Sequence, residues 1–186
     1  MPLTTYTAGQ VLTASSLNAN FSFAASAGGL VLIKSQTIGT TVNSVTVTGA
    51  FSADYENYRI IVSGGVASTI CGLRLTLGAT ASDYYSGGLD TNYAGTNGAL
   101  GQANTAFWNF GGGTASALTG TADINQPFAS KTTTYFSNHA FNQAGTNSSF
   151  SSGFLNNTTS YTAFTLTTSS GTLTGGTIRV YGYANS

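Results

Sequence analysis

From Leu30 onward, apolar side chains recur at every second position. Tyr58, Ile60 and Val62 alternate with Arg59 and Ile61; Leu73, Leu75 and Leu77 alternate with Arg74 and Thr76. The same period returns in Phe164 and Leu166 around Thr165, and in Ile178 and Val180 around Arg179. Successive side chains of a strand point to opposite faces, so this period buries one face and leaves the other to water. A helix would scatter the same residues around its circumference. Antiparallel sheets with one wet face carry this pattern.

Further strands are expected at Leu30–Lys34, Val42–Val47, Thr105–Phe110, Thr133–Phe141 and Phe150–Leu155. Glycines at 64–65, 87–88, 111–113, 145, 171 and 175–176 are read as turns between them. Short strands separated by glycine-rich turns predict an all-β chain. Its expected architecture is an antiparallel β-sandwich, jelly-roll-like, over residues 30–186. Residues 82–101 break the alternation, with Tyr84, Tyr85, Asp90, Asn92 and Tyr93 among glycines and polar residues. They are expected to form a long surface loop, and long loops in compact domains are usually functional.

Composition narrows the range of functions. A chain of 186 residues fits one domain with an appendage. Only 5% of residues are charged, against about 25% in ordinary soluble domains, and the formal net charge is zero. Nucleic-acid binding needs a basic face to release counterions; five Lys and Arg spread singly do not make one. No cationic amphipathic helix and no membrane-length apolar run is present, so neither nucleic acid nor membrane insertion is expected. Met1–Thr5 has no basic n-region and is not expected to be a secretory signal. Cys71 is the single cysteine, which rules out an intramolecular disulfide. The aromatic content of 12% argues against disorder. A near-neutral surface suits a protein that works assembled, since free proteins use charge to stay apart.

Residues 1–29 read differently. An extended polar segment leads to a short stretch in which Thr13 or Ser15 can cap a helix. Leu17, Phe21 and Ala24 then fall on one helical stripe, and Gly28-Gly29 stops it. Such a stripe needs a surface to lie on, either its own domain or another subunit. Tyr6, Val11, Leu12, Leu17 and Phe21 are the candidate docking residues of this arm, and residues 4–11 could add a strand to a neighbour's sheet edge.

Thr7-Ala-Gly-Gln-Val-Leu-Thr-Ala-Ser-Ser-Leu-Asn-Ala-Asn-Phe21 resembles the leader of many small tailed-phage structural proteins, where TAGxxLTAxxLNxNF precedes a β-rich fibre or decoration domain. Phe51-Ser-Ala-Asp-Tyr-Glu-Asn-Tyr-Arg-Ile60 is similar to the F-x-x-x-Y-x-x-Y-x-I opening of phage fibre and virion β-domains, and Gly176-Thr-Ile-Arg-Val-Tyr-Gly-Tyr183 completes the likeness. The resemblance implies a virion structural protein, usually a homotrimer, attached through its N-terminus. It would be made in the host cytoplasm and assembled on the particle. It does not separate head from tail; the lack of a long shaft favours a head decoration or short head fibre slightly.

Catalytic chemistry has little to build on. His139, the only histidine, sits in an alternating segment and is expected to be a half-exposed strand residue, and no Gly-x-Ser-x-Gly elbow supports a triad. One Cys and one His cannot make a zinc site. Asp54 and Glu56 lack a third acidic partner for calcium. The five acids form no local pair of the kind that hydrolyses glycosides. No enzyme activity, metal or cofactor is expected.

One binding idea comes from residue types. Saccharides are held by an aromatic face beside hydrogen-bonding Asp or Asn groups. Tyr84, Tyr85, Asp90, Asn92 and Tyr93 supply both, with Trp108 as a second aromatic. The alternative reading packs those tyrosines between subunits and Trp108 in the core. The expected function is a non-enzymatic, trimeric virion protein docked by its arm on capsid or tail subunits; the alternative is a receptor- or glycan-binding module of a tail fibre that contacts a host surface glycan.

Overall fold

A computed structural model of the chain describes residues 5–11, 13–18, 20, 29–140 and 148–184. In chain order the strands are β1 (Leu30–Thr37), β2 (Ser44–Val47), β3 (Asn57–Ser63), β4 (Val66–Ala67), β5 (Cys71–Leu77), β6 (Tyr84–Thr91) and β7 (Asn97–Thr105). They continue with β8 (Trp108–Gly113), β9 (Leu118–Asn125), β10 (Thr133–His139), β11 (Ser148–Leu155), β12 (Phe164–Thr168), β13 (Leu173–Thr174) and β14 (Thr177–Tyr183).

The fold is an antiparallel β-sandwich. One layer runs β1-β14-β3-β9-β10-β11-β6-β7 and the other β2-β12-β5-β8. They meet at β9. Its Leu118–Gly120 segment pairs with β8, and its Thr121–Asn125 segment pairs with β10 along the same edge, while β3 takes the other edge throughout. The sheet therefore forks at Gly120/Thr121, and the two branches fold over one core. The short β4–β13 pair lies apart from this network.

Inward residues fill the core. Tyr58, Ile60 and Val62 of β3 and Ile178 and Val180 of β14 are buried with Leu73, Leu75 and Leu77 of β5 and Phe164 and Leu166 of β12. Burying each such side chain contributes about 1.5–3 kcal/mol. Phe51 spans the two layers. Its ring meets Tyr58 edge-on at 4.8 Å and Phe164 at 5.8 Å. The Tyr58 hydroxyl donates to Ser52 O at 2.7 Å and accepts from Ser52 N at 2.8 Å, which ties the segment before β3 to the core. The aromatic spacing 51–55–58 thus has a packing role at the mouth of the sandwich.

Three expectations about the chain path are corrected. Residues 82–101 are no loop: most of them lie in the β6–β7 hairpin, with only the 92–96 segment turning between the strands. Gly111-Gly112-Gly113 is no turn either, for it lies inside β8 opposite Cys71–Leu73 and Leu118–Gly120. Strand β9 carries its alternation in Leu118, Gly120, Ala122 and Ile124, two of which are too small to read as apolar. The Phe110 ring occupies the space where a Gly120 side chain would stand, so small inward residues on β9 are what lets Phe110 bury completely. Likewise Gly87-Gly88, read as a turn, lies within β6. Phe141, Gly145, Leu12, Phe21, Ala24 and Gly28 fall outside the described residues.

Candidate binding face and N-terminal arm

The long layer presents an outward face whose residues follow the register across the strands. One row runs Arg59, Asp123, Phe136, Ser152, Gly87 and Gly101 from β3 to β7. A second row sets Asn125, Thr134, Phe154 and Tyr85 side by side, and a third sets Thr121, Asn138, Phe150 and Leu89. Phe136, Phe150, Phe154 and Leu89 are all exposed. Single exposed apolar residues are ordinary, but a clustered set on one sheet face marks a contact surface.

Two depressions interrupt this face. The larger is a shallow groove of about 550 Å³. Its aromatic wall is Tyr85 and Phe154, stacked with centroids 5.2 Å apart and planes 7° from parallel. Its outward polar groups are Thr134 and Ser152, with Ser86, Gln102, Gly87, Gly153 and Tyr135 completing the lining. Ser86 Oγ donates to Gln102 Oε1 at 2.9 Å. No lining residue carries a charge. Glycines shape the bed. A Cβ on Gly153 would collide with the Tyr85 carbonyl, so β11 and β6 approach more closely there than other residues allow. Gly87 is different, for a Cβ there would meet only Leu100 O, at 3.9 Å.

The smaller depression, about 300 Å³, is lined by Arg59, Thr121, Asp123, Phe136 and Asn138. Arg59 donates twice to Asp123, from Nε to Oδ1 at 2.8 Å and from Nη2 to Oδ2 at 2.7 Å. Tyr183 Oη donates to the same Oδ1 at 2.6 Å, and the guanidinium lies 5.7 Å from the Tyr183 ring centroid. Partial burial opposes the Asp123 charge, but the hydrogen bonds from Arg59 and Tyr183 and the Arg59 charge outweigh it, leaving the carboxyl below its usual range. Burial and the Asp123 charge push Tyr183 up to about 12. The pair is internally satisfied and offers no unshielded charge to a ligand.

The residues expected to form a glycan loop are dispersed. Tyr84 is fully buried, 5.0 Å edge-on to Trp108, and its hydroxyl accepts from Leu77 N at 2.7 Å. It belongs to the core because its parity on β6 points inward. Tyr85, one residue on, points outward into the groove. Asn92 builds the hairpin turn, with Oδ1 accepting from Ala94 N at 3.0 Å and Thr96 N at 2.9 Å. Asp90 is half-buried on the inward parity, in register with Ser149 and, beyond it, His139. Tyr93, at the tip, is 82% exposed. Trp108 is core, stacked on Tyr135 at 4.4 Å and 12° with Nε1 donating to Tyr85 O. His139 is half-buried; burial lowers its pKa against an opposing pull from Asp90.

Phe154, Gln102, Thr134 and Ser152 escaped sequence reading. The four-residue spacing of Phe150 and Phe154 within a strand was the available signal, since it places both on one face while Ser149 and Ser151 turn inward.

In the arm, residues 14–18 and 20 are helical. Thr13 is the cap: its Oγ1 accepts from Ser16 N at 3.2 Å, and its carbonyl accepts from Leu17 N at 3.0 Å. Val11 and Leu17 are 83% and 40% exposed, and Tyr6 is half-buried. Leu12 and Phe21 lie outside the described residues. The core cluster begins at Ile38, with Ile33 packed against it; no described arm residue contributes to it.

Among the described residues, no group of three or more His, Cys, Asp or Glu side chains gathers as for a metal ion. No described helix is long and apolar enough to cross a membrane. No protein-family model matches the chain, and no curated protein does. A solved structure of the infectious bursal disease virus Gt strain is similar over 98% of this chain and 46% of its own, at 12% identity and a TM-score of 0.14. The chain thus spans less than half the length of that neighbour, and a likeness this slight carries no argument about function.

Proposed function

We propose that this chain is a non-enzymatic structural protein of a tailed-phage virion, a β-sandwich module carried outward on a docking arm. The observation that carries the reading is the division of labour along the chain. The buried cluster is assembled from residues 38–180, while Val11 stands exposed before, and Leu17 within, the capped helix of an arm that the core does not use. Exposed apolar groups on a short helix gain by lying in a groove of another subunit. The low charge fits a surface that is largely covered in an assembly, and the leader resemblance supplies the class of assembly. A trimer, with a head position slightly favoured over a tail position, follows the same resemblance; three arms held together allow each to bind weakly.

The test compares the full chain with one lacking residues 1–27 in co-sedimentation with particles of the phage that encodes it. The full chain is expected to pellet with particles, and the shortened chain to stay in the supernatant while keeping its Trp108 emission and its oligomeric state by light scattering. Pelleting of the shortened chain, or its failure to fold, overturns the proposal.

A further inference from the structure

We infer that the groove bounded by Tyr85 and Phe154 is a binding site for a neutral oligosaccharide. The argument rests on the chemistry of its lining and not on where the arm docks, so it stands or falls apart from the virion reading. A sugar ring offers two kinds of surface: a C–H face that rests on an aromatic ring, and an edge of hydroxyls that both donate and accept. The groove supplies partners for both. Tyr85 and Phe154 form a continuous parallel pair, and Phe154 is 41% exposed, so aromatic surface faces solvent. Beside it stand Thr134 and Ser152, whose hydroxyls donate and accept, while Ser86 and Gln102, on the inward parity of β6 and β7, bond to each other.

Charge selects the ligand class. No lining residue is an Asp, Glu, Lys, Arg or His, and Arg59 is already committed to Asp123 in the neighbouring depression. Phosphate, sulfate, sialic acid or uronate groups would lose their water without gaining a cation. A volume of about 550 Å³ lies within the usual range of roughly 300–1,000 Å³ for ligand sites. The shape favours a chain lying across the strands: Gly87 and Gly101 leave the bed level beyond Ser152 in the same register row. The strand pairing matters too, because the β6–β11 register holds the aromatic pair in place and little order must be created on binding.

The first experiment is retention of the full-length protein on an array of neutral gluco-, galacto-, manno- and N-acetylglucosamine oligosaccharides alongside sialylated and uronate-bearing ones, followed by calorimetric titration with the soluble form of the best ligand. Retention is expected on neutral members only. Tyr85→Ala is expected to weaken the titrated affinity about tenfold or more. Gly87→Leu is the second variant: it fills the groove from an open position without removing any contact, so folding is unaffected and binding is expected to be lost. The proposal is overturned if no neutral oligosaccharide is retained, if only acidic ones are, or if Gly87→Leu binds as the unaltered protein does. A Gly87→Leu chain that changes oligomeric state in light scattering with no sugar bound would identify the face as a subunit contact and equally overturn it.

Discussion

Arg59 and Asp123 face each other directly in the β3–β9 register and lock through two parallel hydrogen bonds, with Tyr183 of β14 donating to the same carboxylate. The cluster therefore ties β14, β3 and β9 together on the outward face, beside the fork where the two layers part.

Asp123→Asn is expected to destabilise the protein by about 1–2 kcal/mol, the scale of a charge-assisted pair that is still partly open to solvent. The pH dependence has a definite sign. The folded state holds Asp123 below its ordinary pKa of 3.8. Its contribution is therefore complete above that value and declines as the pH falls through the folded pKa. Tyr183 acts at the other end. Its pKa is raised from 10.0 to about 12, so stability declines as the pH climbs between those values. Urea midpoints measured across both ranges check this: Asp123→Asn should flatten the acid limb, and Tyr183→Phe the alkaline one.

Gly182→Ala is expected to cost about 1–3 kcal/mol. The Tyr55 ring lies where a Gly182 side chain would project, so a methyl there forces the ring off Tyr58, which it meets edge-on at 6.1 Å. Gly98→Ala in β7 is the control. A Cβ there meets nothing within 4 Å, and its backbone is not left-handed, so the change should stay within about 0.5 kcal/mol. Thermal unfolding of the two variants separates packing from the general cost of replacing glycine; equal shifts would refute the ring-on-glycine account.

These glycines also explain how far the sequence could be read. Strands β3, β5, β12 and β14 announce themselves because their inward residues are large. Strands β6, β7, β8 and β9 do not, since glycine stands where an apolar residue would mark the pleat, and glycine also marks turns. The difference between Gly111 in a strand and Gly64 in a turn is set by a partner strand far away in the chain. The candidate groove suffers the same blindness: Tyr85 and Phe154 meet only through the β6–β11 register, and no local spacing relates them. Residue types did point to the β6–β7 segment, but parity, which puts Tyr84 inward and Tyr85 outward, becomes fixed only once the hairpin is known.

Tyr84→Phe should destabilise by about 1–3 kcal/mol although it removes a single atom. The phenol accepts from Leu77 N at 2.7 Å and donates to Thr80 O at 3.3 Å inside the core. Phenylalanine leaves that buried amide without its acceptor, and the full desolvation cost of the amide appears. For a chain of this size each kcal/mol lowers the melting temperature by roughly 2–4 °C. Calorimetry reads the shift. A melting temperature equal to that of the unaltered protein would mean that water replaces the phenol.

His139 gives the fold a second acid-sensitive window, which opens at a higher pH than that of Asp123. Burial favours its neutral form, while Asp90 pulls the other way, and the net result lies below the ordinary value of 6.5. In the window between the folded pKa and 6.5 the unfolded chain binds the proton more readily than the folded one. Stability is therefore expected to fall as the pH drops below 6.5, well above the range in which Asp123 titrates. His139→Asn removes the titrating ring and should abolish this step while leaving the acid limb of Asp123 in place. Following the imidazole protons by NMR gives the folded pKa directly. A value at or above 6.5, or a mildly acidic decline that persists in His139→Asn, would show that another group governs this window.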